Sequence, residues 1–189
     1  MNIPDRVKRL LLAPEPEWSV IAAEPATLGG LITGYVLPMA ALAAIGSLVG
    51  SVLWLGGVGL GIALRIAVVS VVTSIVGVVV LSVVIDALAP TFGAAKNSAN
   101  AAKVAAYSPT AAWVGGFFQI IPYLGGVIAF IGAIYSLYLL YLGLMRVMKS
   151  PSDKAVGYTV VVVVVAIVVG YAASLVTAAI GFGPAMRIL

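Results

Sequence analysis

Residues Lys154 to Val169 read "KAVGYTVVVVVVAIVV", with six successive valines at 160–165. In water such a run argues for a β-strand, because branched side chains suit a pleated sheet better than a helix. In hydrocarbon the argument reverses: an open strand leaves N–H and C=O groups unpaired, whereas a helix satisfies its own. Valine's weak helix propensity is then overridden, and 156–181 becomes one helical crossing. A β-barrel would need alternating segments of about ten residues, and the sequence has none.

Composition says that the medium is lipid. Of the 189 residues 63% are hydrophobic and 8% charged, where a soluble domain carries about a quarter charged residues. The apolar residues form uninterrupted runs, and the short segments between them hold nearly every charge. The expected fold is all-α: a polytopic membrane bundle over 31–189, with five spans at about 31–55, 62–85, 104–121, 124–145 and 156–181. The third and fourth spans follow from length. Between Ala101 and Met145 the only charge is Lys103, and 45 residues of helix would be about 68 Å long, over twice the hydrocarbon core. The segment must fold back, and "PYLGG" at 122–126 offers a helix-ending proline and glycines for the reversal.

Residues 1–30 are expected to lie on the membrane surface. Ile3, Val7, Leu10 and Leu11 share one helical face, which leaves Arg6, Lys8 and Arg9 for the rest. Pro4 suits the first turn, Pro14 ends the helix, and Trp18 has the ring that settles among headgroups. With proline and acids in place of an apolar core and cleavage site, this is no secretory signal, and the mature chain is expected to begin at Met1.

Cation placement predicts orientation. One side holds Arg6, Lys8, Arg9, Lys96, Lys103, Arg146, Lys149 and Lys154, the other only Arg65 and Arg187. The positive-inside rule then puts the N-terminus in the cytoplasm and the C-terminus outside. The net charge of +4 is spread over these loops and reads as topology, not as a nucleic-acid patch. No cysteine or histidine occurs, which removes disulfides, thiol nucleophiles and histidine acid–base or zinc chemistry. No catalytic residue, metal site or cofactor is expected.

Arg65 and Asp86 share the second span, yet 21 residues of helix hold them about 31 Å apart, so each marks one end. Small residues recur at four-residue spacing: Gly46 and Gly50, Ala129 and Ala133, Gly132 and Ser136, then Ala166, Gly170 and Ser174. Such spacing lets helix backbones approach closely within a bundle. Tyr135, Tyr138 and Tyr141 read as anchors, of which only Tyr135 lies deep enough to need a partner for its hydroxyl. Pro38 and Pro109 each remove a backbone donor inside a span and are expected to kink it, freeing the carbonyls of Gly34 and Ala105. Tyr35, Tyr107, Ser108 and Thr110 flank the two breaks. Together with Asp86 they are the candidate lining of a cytoplasmic-side polar cavity for a lipid headgroup, ion or small solute.

The stretches "EWSVIAAEPATLGGLITGYVLP" (17–38), "DALAPTFGAAKNSANAAKVAAYSPTAAWVGG" (86–116), "IGAIYSLYLLYLGL" (131–144) and "KAVGYTVVVVVVAIVV" (154–169) resemble the bacterial branch of the Yip1 membrane-protein family. The resemblance implies a five-helix domain with a cytoplasmic N-terminus, in a bacterial inner membrane. Eukaryotic relatives bind Rab GTPases through a cytosolic N-terminal region and take part in vesicle traffic and membrane shaping. Here the DLYGP motif that those relatives carry before the first span is absent, and its nearest echo, "DALAP" at 86–90, follows the second. The expected role is non-enzymatic organisation of membrane or partner proteins, with lipids, further copies of the chain or other membrane proteins as partners. The alternative is a small-solute, ion or lipid transporter using the Pro38/Pro109 cavity, against which stands the lack of an ionisable side chain near the midplane.

Overall fold

A computed structural model describes residues 2–54 and 59–182; Leu55 of the first expected span and Arg187 of the charge count lie outside them. The described residues form helices and no strand. The valine run 160–165 is helical, as the need to satisfy the backbone in lipid requires.

The chain opens with two short helices, α1 (Ile3–Leu12) and α2 (Pro14–Ala23), joined at Ala13. The apolar face read from the sequence is there, but its partner is the protein. Leu10 is fully buried, and Ile3, Val7 and Leu11 pack against the main core. Trp18, expected among headgroups, has no exposed surface, and its ring lies against Gly143 and edge-on to Tyr107. Arg6 is 3% exposed, whereas Lys8 and Arg9 are exposed as expected. The single helix expected here is a helical hairpin docked on the bundle, in which a second helix folds back and supplies carboxylates for the cations of the first.

Among the described residues four helical segments are long and apolar enough to cross a membrane: Leu28–Trp54, Leu60–Phe92, Leu124–Arg146 and Ser152–Ala172. The first consists of α3 (Leu28–Leu31), a π-helical turn over Ile32–Val36 and α4 (Leu37–Trp54). That turn sits just before Pro38: the N–H of Leu37 reaches back five residues to the carbonyl of Ile32, next to a proline that has no N–H to give. The second is α5 (Leu60–Leu88), which ends in a 3₁₀ turn over Ala89–Phe92.

The expected third span at 104–121 is not one helix. It is two short ones, α6 (Ser98–Tyr107) and α7 (Thr110–Phe117), then a 3₁₀ turn over Phe118–Ile120. Pro109 stands at the break, where it cannot donate to Ala105. The count of five long spans becomes four plus this broken segment. Even so, the segment runs antiparallel along α8 (Leu124–Arg146), with Val104 beside Gly143, Ala111 beside Gly132, Gly115 beside Ala129 and Phe118 beside Gly125. The reversal before α8 is made at Pro122 and Tyr123, which has a φ of 62°. Gly125 and Gly126 are already helical, and Gly125 serves a close approach to Phe118.

The last helix, α9 (Ser152–Phe182), packs on α5. Tyr158, fully buried, stacks on Phe92 at 4.8 Å and donates to the carbonyl of Ile85. The loops after α5 and α8 meet the N-terminal hairpin at one end of the bundle. Ser150 Oγ donates to the Phe92 carbonyl (3.0 Å), Asn100 Nδ2 to that of Val147 (3.2 Å), and Arg146 pairs with Glu15 (2.8 Å). Arg65 lies toward the other end of α5, as its spacing from Asp86 requires.

Candidate functional site

The two proline breaks come together. Tyr35 and Tyr107 have ring centroids 4.6 Å apart, and the hydroxyls of Tyr35 and Thr110 share a hydrogen bond of 2.7 Å. Thr110 Oγ1 lies 2.5 Å from the Tyr107 carbonyl, and Ser108 Oγ donates to that of Val104 (2.7 Å). Tyr35 and Thr110 have no exposed surface, and Tyr107 and Ser108 have 3% each. Hydroxyls beside these breaks are bound to protein, which is how a helix interruption survives in lipid. Pro38 points outward, and Pro109 borders an apolar groove of about 230 Å³ between α5 and α9. Tyr35→Phe is expected to cost about 1 kcal/mol by losing one buried hydrogen bond. Thermal unfolding in detergent should show a midpoint about 2–4 °C lower, with a further loss when Thr110 is also made Val, because that change removes the bond to the Tyr107 carbonyl as well.

Asp86 is not in this joint. Its Oδ1 accepts from the backbone N–H of Asn97 (2.7 Å), which fixes the start of α6. It lines a cavity of about 620 Å³ with Ser82, Lys96 and Ser98. A second cavity, of about 750 Å³, lies between the hairpin and the start of the first span; its walls include Arg6, Glu24, Thr27, Gly34, Lys103 and Tyr107. Ala26 and Thr27 border both. The predicted residues thus divide: Tyr35, Tyr107, Ser108 and Thr110 close the joint, Tyr107 also faces the larger cavity, and Asp86 belongs to its neighbour.

The larger cavity is built on buried charge. Arg6 Nη1 donates to Glu17 Oε1 (2.6 Å), and its Nη2 to both Glu24 oxygens (2.5 and 2.7 Å). Glu17 is itself 3% exposed and takes a further bond from Arg9 Nε (2.7 Å). The Arg6 guanidinium also lies over the Tyr107 ring, 5.6 Å from its centroid. Burial alone would lower the pKa of Arg6, but the hydrogen bond and charge of Glu24, with Glu17, raise it above the ordinary value. Lys103 is 4% exposed, and its ammonium donates to the carbonyl of Ala22 (3.1 Å) and to Asn100 Oδ1 (3.3 Å). Burial lowers its pKa, opposed by the charge of Glu24.

Glu17, Glu24 and the burial of Lys103 were missed in the sequence. The available signal was a set of carboxylates facing a set of arginines across Pro14, in segments too short to span a membrane. No group of histidine, cysteine and acidic residues among the described residues forms a metal site.

Comparison with known proteins agrees with this architecture. No curated protein and no solved structure matches the chain. The family model of the Yip1 domain matches residues 8–187, from the charged hairpin through every long apolar helix. With the match covering nearly its whole length, the chain belongs to the Yip1 domain family of membrane proteins.

Proposed function

We propose that this protein is a non-enzymatic organiser of membrane or partner proteins, seated in a bacterial inner membrane with the hairpin end in the cytoplasm. The observation that carries this reading is the packed joint at Pro38 and Pro109. Where a carrier would need room, the Tyr35 and Tyr107 rings pack against each other at a tilt of 58° and the Tyr35 and Thr110 hydroxyls bond to each other. Orientation rests on charge: Arg6, Lys8, Arg9, Lys96, Lys103, Arg146, Lys149 and Lys154 gather toward the hairpin end, against Arg65 at the other among the described residues. The lateral surfaces are apolar. On α5 Val68, Val72 and Val76 are exposed, and on α9 Val160, Val164 and Ile167. Lipids cover such surfaces, and so can a second copy of the chain or another membrane protein.

The chain has no cysteine, so single cysteines at Val72 and Val164 report lateral neighbours cleanly. Crosslinks to another chain or a partner are expected in native membranes, with no solute or ion flux above protein-free vesicles after reconstitution. A saturable flux reduced by Asp86→Asn would favour the transporter reading instead.

A further inference from the structure

We propose that the cavity between the hairpin and the first span binds a phosphate ester, that of an anionic lipid headgroup, between Lys103 and Arg6. This goes beyond the organiser reading and does not depend on it.

The first argument is charge balance. Arg6, Arg9 and Lys103 bring three cations to the cluster, and Glu17 and Glu24 two carboxylates. Both carboxylates are taken by arginines. Lys103 makes no ion pair among the described residues: its ammonium has three N–H donors, and the two acceptors it reaches are neutral. Glu24 acts on this buried ammonium only at a distance, while its oxygens bind Arg6; an anion in the cavity would give Lys103 a direct counter-charge and lower the cost of its burial.

The second argument is an orphan donor. Arg6 Nε is buried without a hydrogen-bond partner, on a residue that lines the same cavity as Lys103. An arginine and a lysine with donors to spare suit the tetrahedral, multiply accepting oxygens of a phosphate.

The third argument is place and size. One wall belongs to the hairpin and the Pro25–Thr27 linker, the other to Gly30, Leu31 and Gly34, where the first long apolar helix begins. That boundary is the depth at which lipid phosphates lie. About 750 Å³ falls within the range of small-molecule sites. Gly34 lines the cavity, and a side-chain carbon added there would meet nothing within 4 Å. Glu24, 41% exposed at the rim, is the like charge that an arriving anion must pass.

The test uses the full chain, purified from vesicles of phosphatidylcholine with and without phosphatidylglycerol, with retained lipid measured by native mass spectrometry. Wild type should retain phosphatidylglycerol selectively, and Lys103→Gln should weaken retention by about tenfold, the worth of one charge-assisted hydrogen bond. Because Lys103→Gln also removes the bond to Ala22, Glu24→Gln carries the sign. Removing the rim carboxylate should strengthen retention of the anion, whereas a purely structural cluster would weaken under both changes. Calorimetry with inorganic phosphate in detergent separates the sources. Lys103-dependent heat without lipid retention would overturn the lipid assignment and leave free phosphate as the ligand. Equal retention in wild type and both variants, with no heat from phosphate, overturns the site.

Discussion

Arg6→Ala is expected to loosen the N-terminal hairpin by unpairing α1 from α2. The guanidinium joins three points of the chain: α1, where it resides, Glu17 on α2 and Glu24 at the end of that helix. Its removal leaves Glu17, 3% exposed, with only the bond from Arg9, whose side chain is 51% exposed. Truncating one member of a buried ion pair costs about 3–5 kcal/mol, because the remaining charge stays desolvated and uncompensated. Hydrogen exchange should therefore speed up by about a hundredfold or more across α1 and α2, while α8 and α9 keep their protection. The contrast is Arg9→Ala, an exposed partner of the same carboxylate, with an expected cost below about 1 kcal/mol. Unchanged protection of the hairpin in Arg6→Ala would show that packing alone holds it.

Gly46→Val is the second change with a large effect. A carbon added at Gly46 would come within 2.5 Å of the Phe117 Cα and closer still to that residue's carbonyl. The obstacle is backbone, which cannot rotate away as a side-chain tip can. Overpacking of this kind costs about 1–3 kcal/mol and more where nothing yields. Here α4 would have to move off the segment that α8 grips from another side, through Gly125 and Gly132. A marked fall in thermal stability is expected for Gly46→Val. Gly126→Ala, whose added carbon meets nothing within 4 Å, should be neutral or slightly stabilising because alanine is the better helix former. Equal behaviour of the two variants would remove close backbone approach as the organising feature of the core.

The small-residue pattern in the sequence mixed two classes that only the neighbours separate. Gly46, Gly50 and Gly132 each meet a backbone, and Ser136 accepts from the N–H of Ala112 (2.9 Å). Gly170 has the same spacing yet meets nothing within 4 Å, and it borders the apolar groove with Ala166. Spacing tells that a backbone is available for close approach; it does not tell whether another helix comes. Tyr135 shows the same limit. Its hydroxyl needed a partner, as its depth implied, but the partner is the carbonyl of Leu11, 124 residues earlier (2.9 Å).

The long spans were legible because their cause is local. A helix in lipid satisfies its own backbone, and its length is set by bilayer thickness, so hydropathy along the chain decides where it runs. The valines at 160–165, the turn near Pro122 and the separation of Arg65 from Asp86 all followed from that. Tertiary structure decided the rest. The face of α1 that periodicity exposed found protein in place of lipid, because two carboxylates distant in sequence neutralise Arg6. The third span broke at Pro109 because hydroxyls and neighbouring helices were close enough to accept the interruption. Amphipathicity and proline state what a segment needs from its surroundings, and only the packed chain determines which groups meet that need.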